Sequence, residues 1–197
     1  TIHRLARDHH QWFAGRALQV SSPQGRFADE ALVLDGALFE EASAHGKHLF
    51  YRFARPAMEH AWVHIHLGLF GRYRTFRSPK TPTPNVRLRL AIEGRIVDLS
   101  GPTCCELIDA EALEAIHARL GPDPLAAEDG LEEFRKRLAK RRISIAAALM
   151  DQRTIAGIGN IYRAELLYYH RLDPMTPCRD LSDSTIKALW DTARDWL

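Results

Sequence analysis

The feature that most limits how this chain can fold is a change in the spacing of its apolar residues. Through residues 38–99 they tend to recur at every second position, as in Val86, Leu88, Leu90 and Ile92. That is the period of a strand with one buried face. From Leu131 onward they recur three and four apart, the period of helices with one apolar side. Between the two regimes lies 121–130, GPDPLAAEDG, whose Gly, Pro and Asp content is that of a linker. One change of period across such a stretch predicts an α+β protein in two parts. Residues 1–120 form a mainly β domain, 121–130 the interdomain linker, and 131–197 a helical domain.

Local signals fill in the elements. Ile2, Leu5, Trp12 and Phe13 line one side of a helix that stops at Gly15, and Leu18 and Val20 open an extended segment. Strands are predicted at 38–44 and 48–53, joined at His45-Gly46-Lys47, and at 62–67. Residues 70–77 read as the hairpin partner of 62–67, with Gly68 and Gly71 supplying the bend. Residues 86–92 and 96–99 read as a hairpin about Glu93-Gly94. Helices are predicted at 110–120, 131–142, 144–152, 160–171 and from 182 to the end.

Composition narrows the setting. No apolar run is long enough to span a bilayer and the first residues are not a signal peptide, so the expected location is cytoplasmic, with no membrane partner. The three cysteines, Cys104, Cys105 and Cys178, form no CxxC pair for zinc and fit a reducing compartment. A net charge of +2 does not announce a polyanion partner. The distribution says more: Arg72, Arg74, Arg77 and Lys80 crowd one stretch, Arg87 and Arg89 share a strand face, and 135–142 holds six basic residues. Such runs are also what a solvated surface looks like. The chain has no initiator methionine and its last helix lacks a stop signal, so a piece of a longer protein is expected.

The segment richest in chemistry is Leu149-Met150-Asp151-Gln152, a spacer, then Ala156-Gly157-Ile158-Gly159-Asn160 leading into Ile161-Tyr162-Arg163. It reads as helix, glycine turn, helix, with Asn160 at the N-cap. Backbone N–H groups exposed there can grip a phosphate, aided by the helix dipole. A capped turn with no ligand is the alternative. Leu69 and Phe70, between Gly68 and Gly71, are either core residues or a loop tip. His64 and His66 share a strand face and are a conceivable metal pair, but no third ligand is evident, so hydrogen bonding or phosphate contact is expected. Cys104-Cys105 reads as buried packing.

The glycine-turn segment resembles the helix-two-turn-helix signature of the formamidopyrimidine-DNA glycosylase and endonuclease VIII family. Gly46-Lys47 is similar to the family's β-turn lysine, His66-Leu67-Gly68-Leu69-Phe70-Gly71 to its DNA-inserting loop, and Leu120-Gly121-Pro122-Asp123-Pro124-Leu125 to its interdomain segment. The resemblance implies a β-sandwich-like first domain with an N-terminal helix, followed by a helix-two-turn-helix domain. It implies base-excision repair: a bifunctional DNA glycosylase and abasic-site lyase, acting as a monomer on double-stranded DNA that carries a damaged base or an abasic site. Asn160, with the amides around Gly159, would bind a phosphate beside the lesion. Lys47 would hold the phosphate of the extruded nucleotide and assist catalysis. Leu69 and Phe70 would enter the gap left by the flipped base, with His66 and Arg72 as further DNA contacts.

Three departures qualify the resemblance. The family's nucleophile is the amine of an N-terminal proline followed by glutamate, whereas Thr1-Ile2-His3-Arg4 resembles the family sequence a few residues beyond that proline. The family's C-terminal finger, with or without zinc, has no counterpart in residues 1–197, so no cofactor is expected within them and any zinc belongs to such a finger. Leu99-Ser100-Gly101-Pro102-Thr103 has no arginine or aromatic where purine-type members carry a gap-filling loop. That resembles the endonuclease VIII branch and points to oxidised pyrimidines. The rival reading is a DNA-binding protein that uses the same clamp without chemistry; a mature Pro-Glu terminus separates the two.

Overall fold

The computed structural model describes residues 1–55 and 58–197. The chain divides into two compact units, 2–114, and 115–197 together with Thr1. Each is described by itself.

The first unit opens with α1 (Ile2–Phe13), short strands β1 (Arg16–Ala17) and β2 (Gln19–Ser21), and α2 (Ala28–Leu34). There follow β3 (Leu38–His45), β4 (His48–Arg55), β5 (Met58–His66), β6 (Arg72–Phe76), β7 (Val86–Ile92), β8 (Arg95–Ser100) and β9 (Cys104–Ile108). They form two antiparallel sheets, ordered β1-β3-β4-β5-β9 and β2-β7-β8-β6. The alternation seen in the sequence explains the sandwich. Leu49, Tyr51 and Phe53 of β4, and Val63 and Ile65 of β5, meet Leu88, Leu90, Val97 and Leu99 from the other sheet in one core. α1 adds Ala6 and Phe13, and α2 adds Ala31 and Leu34. The same alternation turns His48, Phe50, His64, His66, Cys104 and Glu106 to the opposite face of the five-stranded sheet.

One expectation needs correction here. Residues 62–67 and 70–77 are not a hairpin: β5 pairs with β4 and β9, while β6 pairs with β8 in the other sheet. The glycine-flanked segment 67–71 therefore carries the chain from one sheet to the other. The strand β9 is an addition to the sequence reading; within it Cys105 is buried, as expected, and Cys104 is half-buried.

α3 (Ala110–Arg119) spans the division between the units. The second unit then holds α4 (Leu131–Ala139), α5 (Ile145–Met150), α6 (Asn160–Tyr169), a 3-10 turn at Cys178–Asp180, and α7 (Asp183–Trp196). Phe134, Leu138, Leu149, Ile158, Leu166, Leu189 and Trp190 form its core. Ser144 and Ser182 cap α5 and α7, accepting from Ala147 N and Thr185 N at 3.4 and 3.1 Å. Residues 121–130 pack into this unit. Gly121 N donates to Gln152 O at 2.7 Å, Ala156 N to Pro122 O at 2.9 Å, and Trp190 Nε1 to Asp129 Oδ1 at 2.9 Å.

Candidate nucleic-acid interface

Lys47 stands in the two-residue turn between β3 and β4, where Gly46 takes a φ of +57° that favours glycine. The ammonium is half-buried, and loss of solvent lowers its pKa. His66 ends β5 opposite His48, with ring centroids 5.0 Å apart. Its pKa is lowered too, first by burial and then by the nearby charges of His64 and Lys47. Burial and mutual repulsion destabilise positive charge at this corner, so an anion placed there is favoured.

The chain leaves β5 through a tight loop closed by Gly71 N donating to Leu67 O at 3.0 Å. Leu69 is 93% exposed and Phe70 81%, so the core reading of this pair does not hold. The loop is nevertheless braced. Gly68 has φ +65°, and a Cβ there would collide with Thr103 Oγ1; a Cβ on Gly71 would collide with the Leu67 carbonyl. Thr103 N donates to His66 O at 2.9 Å. Two large apolar side chains are thus held in solvent by a backbone with little freedom to withdraw them. Arg72 begins β6 and is exposed.

In the second unit the glycine turn is organised by Gln152. Its amide donates to Ile158 O at 2.9 Å and accepts from Gly157 N at 3.0 Å, at a glycine with φ +93°. Asp151 accepts from Arg141 at 2.6 Å and from Arg153 N at 2.9 Å. The N-cap of α6 is Gly159 and not Asn160, as a correction to the sequence reading. Gly159 is extended and no side chain caps the helix, while Asn160 is its first residue and exposed. First-turn N–H groups without a side-chain cap, next to an exposed amide, suit an anionic oxygen.

Several of the basic residues are committed elsewhere. Arg89 makes a two-pronged ion pair with buried Asp98 at 2.6 and 2.7 Å. Arg135, Arg137 and Arg141 pair with Glu132, Glu133 and Asp151. The metal reading also changes. His64 does have company, but it is Cys104 and Glu106 and not His66. Sequence reasoning missed the roles of Gln152, Thr103 and His48. Gln152 lies inside the glycine-turn motif and was legible as a turn brace; the other two act across strands. Cys105 belongs to the core of the first unit and Cys178 to the core of the second.

Both units resemble known proteins. Residues 1–104 match the family model for the formamidopyrimidine-DNA glycosylase N-terminal domain, and residues 120–197 that for the formamidopyrimidine-DNA glycosylase H2TH domain. Endonuclease 8 1 of Mycobacterium tuberculosis is 44% identical over 196 residues, covering 97% of this chain and 72% of that protein. The crystal structure of MutM (Fpg) from Thermus thermophilus superimposes with a TM-score of 0.78 at 26% identity, covering 98% of this chain and 72% of that one. A complex of Lactococcus lactis Fpg with DNA containing N7-benzyl-Fapy-dG gives 0.80 at 21% identity, covering 98% and 75%, a likeness of fold.

Proposed function

This chain belongs to the formamidopyrimidine-DNA glycosylase and endonuclease VIII family of base-excision repair glycosylases, and from that premise we propose a bifunctional enzyme of the endonuclease VIII type that removes oxidised pyrimidines and nicks the abasic site. The observation that carries the reading is the pair Leu69 and Phe70, held in solvent on a braced two-glycine loop at the end of the strand that carries His66. Extruding a base costs a few kcal/mol of lost stacking, and an apolar wedge in the vacated space offsets part of it. Lys47 takes the phosphate of the extruded nucleotide; Asn160 and the α6 amides take another phosphate. The absence of arginine and aromatic residues from 99–103 supports the pyrimidine class. We place the protein in the cytoplasm, at the nucleoid in a bacterium, working as a monomer.

The family reaction uses an amine that attacks C1′ of the sugar. The base departs with a proton, a Schiff base forms, and β-elimination releases the 3′ phosphate ester. The family's amine is that of an N-terminal proline, which residues 1–197 do not contain. The 197-residue chain is therefore expected to give no borohydride-trapped adduct on an abasic-site duplex. A form opening with Pro-Glu ahead of it is expected to trap and to excise thymine glycol faster than 8-oxoguanine. Binding without trapping by the proline form would favour the DNA-binding reading. Preference for 8-oxoguanine would overturn the pyrimidine assignment.

A further inference from the structure

The face of the five-stranded sheet turned away from the sandwich core carries a cluster that the DNA contacts proposed above do not include. His64 on β5 stands opposite Glu106 on β9, and Cys104 lies two residues before Glu106, hence on the same face. His64 Nδ1 is 2.8 Å from Glu106 Oε1 and 3.5 Å from Cys104 Sγ, and the donor atoms all lie within 4.8 Å of one another. We propose that His64 Nδ1, Cys104 Sγ and the Glu106 carboxylate bind a zinc-class divalent cation that clips β5 to β9, where the chain enters the 67–71 loop and leaves the 101–103 loop.

The donor chemistry selects the class of ion. Imidazole and thiolate beside one carboxylate suit zinc or cobalt, whereas calcium and magnesium take oxygen ligands. Zinc bond lengths place neighbouring tetrahedral donors about 3.3–3.7 Å apart. The nitrogen–sulfur distance already meets this. The nitrogen–oxygen distance must open by roughly 0.5 Å to reach that spacing, and Glu106, whose side chain is 54% exposed, has room to swing. Three protein donors leave a fourth position for solvent.

The imidazole is also set up for the task. His64 Nε2 lies 2.8 Å from His48 Nδ1, and the ring stacks on Phe50 with centroids 5.1 Å apart and planes 16° apart. With Nδ1 on the metal, Nε2 keeps the proton and donates to His48, the outer hydrogen bond that orients metal-binding histidines. Burial and the adjoining Glu106 push the Cys104 thiol up to about 12. Binding releases the thiol proton to solvent and leaves a thiolate on the metal.

Titration of the 197-residue chain with cobalt(II), under reducing conditions, tests this. One equivalent should raise a thiolate-to-cobalt charge-transfer band in the near ultraviolet, and zinc should displace the cobalt and raise the thermal midpoint. Cys104→Ser should abolish the band, Glu106→Gln and His64→Gln should weaken binding at least about tenfold, and Cys178→Ser, in the other unit, should leave it unchanged. Absence of the band in the parent protein overturns the proposal, as does a band that survives Cys104→Ser. The parent titration decides even if His64→Gln fails to fold.

Discussion

Buried His9 is expected to make the first unit sensitive to mild acid. The residue is 1% exposed on the inner side of α1, with Trp12, Phe13, Tyr51 and Tyr73 around its ring. Tyr51 spends its hydroxyl proton on Tyr73 at 2.8 Å, so His9 Nδ1–H donates to Tyr51 Oη at 2.6 Å. Nε2 is then a buried acceptor with no partner among the described residues, and a proton added there would have nothing to bond. Burial lowers the pKa to about 4, against a smaller opposing pull from Asp8. A folded pKa below the unfolded value of about 6.5 favours the folded state above pH 6.5, and that advantage drains away as pH falls toward 4. At about 1.36 kcal/mol per unit the full loss is about 3 kcal/mol, of which about 2 kcal/mol is gone by pH 5. For a chain of this size that is a fall of about 4–8 °C in thermal midpoint between pH 8 and pH 5. The assay compares the parent with His9→Gln, which keeps a donor for Tyr51 but does not titrate. The variant should start lower at pH 8, having lost ring packing, and fall less. Parallel profiles over this range would refute the argument, because other histidines would then carry the acid response.

The other expectations concern DNA. Lys47→Ala and Asn160→Ala should each weaken binding to a duplex with a stable abasic analogue by about 1.5–3 kcal/mol without lowering the thermal midpoint. Lys47→Ala should also reduce the slope of log K against log salt by about one; if affinity and slope are unchanged, Lys47 is only a turn residue. Leu69→Ala and Phe70→Ala should change stability by less than about 0.5 kcal/mol, against about 2–5 for a core position, and should weaken binding to a paired lesion more than to a gapped duplex. Gln152→Ala should lower the stability of the second unit by about 1–3 kcal/mol and loosen DNA binding with it, by leaving Gly157 N–H and Ile158 C=O short of a partner; an unchanged midpoint would remove Gln152 from the turn.

What could be read in advance follows from how far apart the interacting residues lie. The β7–β8 hairpin was legible from Glu93-Gly94, and its register, with Ile92 opposite Arg95, already sets Arg89 against Asp98. The buried ion pair is therefore implicit in the sequence, although Arg89 looks there like free charge. The 67–71 bend was legible as a bend but not as a change of sheet, because neighbouring strands usually pair and nothing local says that these do not. His64 opposite Glu106 depends on β5 pairing with a strand some forty residues later, a closure that no spacing rule reports. α2 escapes sequence reading for a different reason. Ser22-Pro23-Gln24-Gly25 promises a turn, and the short helix after it has no side-chain cap to mark its start. At α6 the pattern misleads by one position: Asn160 resembles a cap residue, whereas a glycine in extended conformation holds that place.

The bracing of the 67–71 loop has a consequence for how it could be re-engineered. Gly101, at φ +65°, would bring a Cβ within 3.0 Å of the Phe70 carbonyl, and Gly68 and Thr103 are in similarly close contact. The segments 67–71 and 100–103 therefore behave as two meshed cogs. Grafting an arginine or phenylalanine into the second segment should shift the first and move Leu69 and Phe70 with it. If these segments set the lesion class, as proposed above, its conversion demands paired changes across both, and a library that varies either one alone should return few active members.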